Sequence, residues 1–368
     1  MRHGRPRVAI AHDYLTQRGG AERVVLAMSR AFPEAPIYTT FFEPAATFPE
    51  FADLDVRSSP LNRVAALRAD HRRALLALPL ASSAINIDAD VVLASSSGWS
   101  HGFRTSRKKL VYCYSPARWL YQTDAYLGGT TSQFRTRALQ ATSPFLRAWD
   151  RRAASSADRY LAISSAVKDR VLAAYGIESE VLPAPHSLHP DLPRETVPGV
   201  VGDFYLCVSR LLPYKNVDKI IDAIGTSPSR QLVVVGAGPE EARLARTLPR
   251  NVMMLKHLSD AQMRWLYSRC RAVVAASYED FGLTPIEAAV FGKPSAVLRW
   301  GGFLETVSEN QSGVFFDEPT AVDVSEALDR LESMSWDADA ISAVAERFSE
   351  ARFAEALRKA VDEMACEG

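Results

Sequence analysis

The sequence predicts an α/β protein made of two Rossmann-like parallel-sheet domains. Three observations carry this. Short apolar runs of strand type alternate with amphipathic helical segments along nearly the whole chain, a pattern that places a parallel sheet between layers of helices. The alternation restarts after the proline-rich stretch "PHSLHPDLPRETVPG", residues 185–199. And 368 residues exceed what one compact core usually holds.

The elements follow in order. "RVAIAH" (7–12) is an apolar run of the buried parallel-strand kind. "GGAERVVLAMSRAF" (19–32) has apolar residues near i, i+3, i+4 and i+7, so it is a helix. "PIYTTFF", "DVVLASS" and "KLVYCYS" are the next strands. "RYLAISSAVKDRVLAAYG" (159–176) is strand, serine turn and helix, with Gly176 as C-cap. "EVLPAP" is a short strand. After the linker come "DFYLCVSRL", a helix near "NVDKIIDAI", then "RQLVVVGAG", "EEARLARTL", "NVMMLK", "DAQMRWLYSRC" and "RAVVAAS". In "TPIEAAVFGKP" Thr284 suits an N-cap, Pro285 the first helical position and Glu287 the third, a capping box; Gly292 and Pro294 end the helix. "ISAVAERFSEARFAEALRKAVDEM" (341–364) is amphipathic and helical. The expected domains are residues 1–198 and 199–348.

Composition narrows the functional classes. Hydrophobic residues make up 47% and charged residues 23%, with a formal net charge of zero, so nothing global points to nucleic acid. The charge is uneven: residues 1–200 hold 25 Lys+Arg and 18 Asp+Glu, the remainder 18 and 25. In the first half, "LNRVAALRADHRRALLALPLAS" (61–82) sets Arg63, Arg68, Arg72 and Arg73 among leucines and alanines. A basic amphipathic helix there would suit an anionic membrane surface, and equally a solvated domain face. Cys113, Cys207, Cys270 and Cys366 have neither paired nor metal-ligand spacing, so reduced thiols in a cytoplasmic protein are expected. No apolar run is long enough to span a membrane.

Chemistry should lie at strand ends, where parallel sheets bind ligands. Gly19 and Gly20 precede the first helix, where their backbone can approach a ligand or simply turn. His101 follows the strand "DVVLASS" in a loop of small residues, as a hydrogen-bonding group or a surface histidine. Arg210 and Lys215 flank a turn after "YLCV", a fork and a point charge suited to a diphosphate. "VVVGAGPEE" offers only two of the three glycines of a dinucleotide signature, with Glu241 in the third place, which argues against an NAD-dependent oxidoreductase. In "SYEDFGLTPIE" Glu279 and Glu287 bracket a turn into a helix whose N-terminus favours an anion. Glu287 serves either that cap or a ligand.

Together these residues resemble the family-4 retaining glycosyltransferases, which have the GT-B fold: two Rossmann-like domains facing across a cleft. The resemblance rests on Gly19-Gly20, "SSSGWSHG", "SRLLPYK" and the two glutamates of "EDFGLTPIE", and it covers nearly the whole chain. "HDYLTQRGGAERV", "YCYSPARWLY" and "GGFLETV" look most like bacterial enzymes using GDP-mannose in surface-polysaccharide synthesis. The resemblance implies that Arg210 and Lys215 neutralise the donor's diphosphate, Glu279 binds the transferred sugar and Glu287 the ribose hydroxyls. Gly282, Leu283 and Thr284 would approach sugar and phosphates, His101 the sugar, and Gly19 and Gly20 the phosphates. His257 and Leu258 would face the base. The implied partners are a nucleotide-sugar donor and a glycan or lipid-linked acceptor, without metal or other cofactor. The final helix, from about Ser349, would cross back onto the N-terminal domain. Family members often have histidine where this chain has Tyr114, which leaves the role of "YCYSPARWLY" open, including whether Arg118, Trp119 and Tyr121 line a site or pack.

Overall fold

The computed structural model describes residues 6–69, 74–75, 77–122 and 133–366. The chain divides into two compact units: Met1–Pro185 with Glu350–Gly368, and His186–Ser349.

In the first unit the elements run β1 (Val8–His12), α1 (Gly20–Ala31), β2 (Ile37–Thr39), β3 (Val56–Ser58), α2 (Ala65–Ala69), α3 (Leu78–Ala84), β4 (Val91–Ser96), β5 (Lys108–Cys113), α4 (Arg118–Tyr121), α5 (Gln133–Ala154), β6 (Arg159–Ala162), α6 (Ser165–Tyr175) and β7 (Glu180–Val181). The strands form one parallel sheet in the order β3-β2-β1-β4-β5-β6-β7. All six residues of β4 are buried, because helices cover both faces of such a sheet. Ser164 caps α6 and Gly176, at φ +70°, closes it. The basic stretch 61–82 is not one long helix among the described residues: a 3₁₀ turn (Pro60–Arg63) precedes α2, and α3 is separate. Arg68 is used inside the fold, donating to Glu43 Oε2 (2.6 Å) and the Asn62 carbonyl (2.7 Å).

In the second unit the elements are β8 (Tyr205–Val208), α7 (Val217–Gly225), β9 (Leu232–Val235), α8 (Glu241–Ala245), β10 (Val252–Leu255), α9 (Asp260–Arg269), β11 (Ala272–Ala275), α10 (Leu283–Val290), β12 (Ser295–Leu298), α11 (Phe303–Thr306), β13 (Gly313–Phe316), α12 (Ala321–Ser333) and α13 (Ala338–Ala345). Its parallel sheet has the order β10-β9-β8-β11-β12-β13. Side chains alternate across it. Tyr205, Cys207, Val234 and Val274 fill one buried layer, and Leu206, Val233, Val235 and Val273 the other.

The second unit begins at His186, ahead of the boundary expected at residue 198. The proline-rich stretch is part of its core: Leu188 and Val197 are 2% and 4% exposed, Arg264 Nε donates to the Pro193 carbonyl (2.8 Å) and the Glu195 amide to Ala261 (3.1 Å). The last helix, α14 (Glu350–Cys366), returns to the first unit. Arg30 forms a two-pronged pair with Glu350 (2.5 and 2.6 Å), Arg358 donates to the Ala31 carbonyl, and Phe353 meets Tyr112 edge-on.

Candidate active site

Each sheet changes direction once, and Lys215, Glu279, Gly19, Gly20 and His101 stand at those two places. In the second unit β9 and β10 build outward from one side of β8, then the chain returns to lay β11 on the other side. In open α/β sheets ligands bind at the carboxyl ends of the strands beside such a reversal, and here the loops after β8 and β11 meet at that place. Lys215 follows β8 and Glu279 follows β11. In the first unit the same reversal lies between β1 and β4. Gly19 and Gly20 follow β1, and His101 follows β4.

The second unit brings Lys215 and Glu279 into direct contact. Lys215 ends a 3₁₀ turn (Pro213–Lys215) and is 8% exposed. Its Nζ makes an ion pair with Glu279 Oε1, and Ser277 Oγ donates to the same oxygen at 3.0 Å. The turn is pinned to the neighbouring loop: Asn216, at φ +51°, donates from Nδ2 to the Ala276 carbonyl at 2.8 Å. Arg210 is exposed, its Nη2 3.5 Å from Tyr214 Oη. The GxG after β9 is a packing device. The Leu211 amide donates to the Ala237 carbonyl (3.0 Å), and a Cβ on Gly236 would overlap the Ser209 carbonyl. Glycine there lets one loop brace the other, and the braced loop carries Arg210 and Lys215.

Helix α10 starts earlier than Thr284 predicts. Its N-cap is Gly282, at φ +87°, with no side-chain cap bond. A side chain there would be strained, and its Cβ would lie 2.5 Å from the Phe303 ring. Leu283 and Thr284 thus fall in the first turn, whose N–H groups lack intrahelical partners. The Gly302 amide holds the preceding loop by donating to the Glu279 carbonyl at 3.0 Å. Glu287 is not the third residue of a capping box. Its Oε2 accepts from the Tyr267 hydroxyl at 2.5 Å. His257 (φ +57°, exposed) and Leu258 follow edge strand β10. Strand β9 separates them from the Lys215–Glu279 pair.

In the first unit Gly19 is the extended N-cap of α1 and Gly20 its first residue. A polar chain underlies this turn. His12 Nδ1 lies 3.0 Å from Ser95 Oγ, Ser95 Oγ 2.9 Å from the Tyr114 hydroxyl, and that hydroxyl donates to the Ala21 carbonyl at 3.2 Å. Tyr114, the departure from the family pattern, is thus a strut beneath the glycine pair. Sequence reasoning missed Asp13. This residue is 2% exposed, and its carboxylate accepts the amides of Ser97 (2.6 Å), Trp99 (3.1 Å) and Ser100 (2.7 Å). An acid immediately after a strand, facing a loop of serines and glycine, was the available signal.

His101 is neither a surface residue nor an open loop group. It is 2% exposed, with Nδ1 2.8 Å from Ser96 Oγ and Nε2 3.0 Å from Asp150 Oδ1. Buried Lys109 donates from Nζ to the His101 carbonyl (2.9 Å) and Ser156 Oγ (2.8 Å). Burial pulls the Lys109 ammonium down to about 8, opposed by the charge of Asp158. Trp119 packs, stacked on Trp99 at 5.3 Å and 14°. Burial also raises the thiols of Cys207 and Cys270 to about 12, so these cysteines are inert core groups. A separate cavity of about 470 Å³ lies at the opposite, amino-terminal end of β9 and β10, lined by Val201, Gln231, Arg250 and Met253 among others.

Two parallel-sheet units of this topology, one presenting a cation–carboxylate pair beside a glycine-initiated helix, define a GT-B type glycosyltransferase scaffold. Comparison with known proteins agrees. Residues 18–185 match the family model Glycosyltransferase Family 4, and residues 199–351 match Glycosyl transferases group 1. The chain belongs to the GT-B glycosyltransferases of the family-4 type. It is 27% identical over 216 residues to "Uncharacterized glycosyltransferase YqgM" of Bacillus subtilis, a match covering 56% of this chain and 60% of that one. It is 33% identical over 85 residues to "Alpha-1,3/1,6-mannosyltransferase ALG2" of Dictyostelium discoideum, covering 23% of this chain and 20% of that one. These matches span less than two thirds of either relative. Among solved structures, Anabaena Alr3699/HepE in complex with UDP-glucose superposes with a TM-score of 0.69 at 19% identity, over 97% of this chain and 100% of that one. The lipopolysaccharide outer core galactosyltransferase WaaB, apo form, superposes with a TM-score of 0.64 at 16% identity, over 97% and 99%.

Proposed function

We propose that the protein is a retaining glycosyltransferase moving a hexose, mannose from GDP-mannose, to a lipid-linked glycan or similar acceptor in cell-surface polysaccharide or glycolipid synthesis. The observation that carries this reading is the Lys215–Glu279 pair at the reversal point of the second sheet, beside Arg210 and the start of α10. Sugar transfer from a nucleoside diphosphate makes a leaving group that gains negative charge, and fixed cations stabilise it. Lys215 and Arg210 are proposed to take the diphosphate, with the amides of Gly282, Leu283 and Thr284 beside it and no metal required. Glu279, released from Lys215, would accept from sugar hydroxyls, and Glu287 from the ribose diol. The loop of His257 and Leu258 would meet the base. In the first unit Gly19 and Gly20 are proposed to offer amides to the phosphates. The proposed sugar contact of His101 requires its ring to leave Ser96 and Asp150.

The mannosyltransferase relative supports a mannosyl donor, and the UDP-glucose complex of a structural neighbour supports a nucleotide sugar while favouring uridine. A UDP-sugar donor is the second reading, and an epimerase of the same fold the third. Thermal shift separates them. A ligand at a hundred times its Kd adds about 2.7 kcal/mol of stability. GDP is expected to raise Tm, whereas UDP, ADP and NAD are not, and Lys215→Ala should abolish the shift. A shift with UDP alone discards mannose; a shift with NAD alone discards the class.

No helix of the described residues is long and apolar enough to cross a membrane. We propose a cytoplasmic protein in peripheral contact with anionic membrane. The exposed side chains Val64, Leu80 and Phe145, with exposed Arg63, support this. Sedimentation with anionic vesicles should carry the protein down at low salt and less of it at high salt. Protein left in the supernatant at low salt would refute the contact.

A further inference from the structure

We infer that Tyr267 is a positioning residue for the nucleotide's ribose, acting through Glu287. The inference rests on the donor reading above, in which Glu287 accepts from a vicinal diol. Tyr267 lies on α9 and is 0% exposed. Its ring stacks on Phe291, 6.0 Å between centroids and 7° from parallel, so the ring plane is fixed by packing. Its hydroxyl donates to Glu287 Oε2 at 2.5 Å, a short charge-assisted bond.

Glu287 sits on the adjacent helix α10, half-buried, with buried Ile286, Ala288 and Ala289 around it in sequence. A glutamate has three rotatable bonds, and an unheld carboxylate must be ordered when a ligand arrives. Tethering Oε2 to a packed phenol removes that freedom in advance. The carboxylate plane is then set, and with it the direction of its lone pairs. Two acceptor directions at fixed geometry match the two adjacent hydroxyls of a ribose. Phenylalanine would fill the same volume against Phe291, so packing alone does not call for the hydroxyl. Its use is orientation of the acid.

Tyr267→Phe tests this by titration calorimetry with GDP and UDP and their 2′,3′-dideoxy counterparts. The nucleotide that the unaltered protein binds is expected to weaken about tenfold in Tyr267→Phe, the scale of one hydrogen bond to a charged group. The matching dideoxy nucleotide should bind both proteins within about twofold, because it offers no diol to orient against. Equal weakening of both nucleotides, or no weakening of either, would overturn the inference. So would a Tyr267→Phe protein that does not fold, since the hydroxyl would then serve the fold. A different result tests the donor reading itself: an unaltered protein that binds neither diphosphate, or binds the dideoxy form as tightly, removes the ribose role of Glu287 and the inference with it. In Glu287→Gln, the preference for ribose over dideoxyribose should fall to the same degree as in Tyr267→Phe.

Discussion

Replacing Lys215 with alanine is expected to lower kcat/KM for the nucleotide-sugar donor by about 10²–10³, the cost of removing one preorganised group that stabilises transition-state charge. Glu279→Ala should fall in the same range. The two are in direct contact, so their effects should not add, and the double variant should lose little more than the worse single one. The structure also says how the losses differ. Lys215 is nearly buried in a turn pinned to the neighbouring loop, and its removal takes the ammonium away from Glu279 Oε1. Lys215→Ala should therefore weaken binding of the bare nucleoside diphosphate. Glu279→Ala should leave that binding intact and act on turnover. Steady-state kinetics with radiolabelled donor, read beside diphosphate affinity, tests both; full activity in either single variant would sink the assignment.

The second large effect concerns stability. Asp13→Ala strands three amides, the buried ones of Trp99 and Ser100 and the part-buried one of Ser97. Buried donors left without acceptors cost roughly 1–3 kcal/mol each before relaxation or water entry. We expect a loss of about 3–5 kcal/mol and a fall of roughly 10 °C in the melting of the first unit. Asp13→Asn keeps an acceptor oxygen and should lose about half as much. Calorimetry resolving the two units would show the second unit's transition unmoved. A first-unit transition within 1–2 °C of the unaltered protein would mean that the loop finds other acceptors, at an accuracy well inside the expected shift.

Much of this fold is legible in the sequence because parallel strands announce themselves as contiguous apolar runs. "DVVLASS", "RQLVVV" and "RAVVAAS" coincide with β4, β9 and β11. The reversal points were half-legible. Lys215 and Glu279 could be placed at strand ends, but their contact depends on β8 and β11 being neighbours, which no local pattern states. The start of α10 misled because Thr284 is the better local cap, whereas the packing of Phe303 against Gly282 decides the matter. The capping-box alternative for Glu287 fails on a tertiary contact as well: Tyr267, which donates to its carboxylate, is on another helix. Prolines make residues 185–199 read as a linker, although Leu188 and Val197 are core. The pairing of His101 with Asp150 and the grip of Asp13 on the 97–100 loop join segments far apart in sequence, and periodicity carries no trace of either.

The return of α14 to the first unit has a consequence for how the molecule is made. The second unit is one unbroken stretch of chain, whereas the first is assembled from two pieces on either side of it. Domains fold as units during synthesis, with chain emerging at about 5–20 residues per second. The first unit is started first and finished last. Until residues 350–366 emerge, Arg30 lacks Glu350, Arg159 lacks Glu363 and the Tyr112 ring lacks Phe353. The second unit, His186–Ser349, has all its own strands by then and can close unaided. On the ribosome, the unit with the cation–carboxylate pair is complete while the other still waits for its last layer.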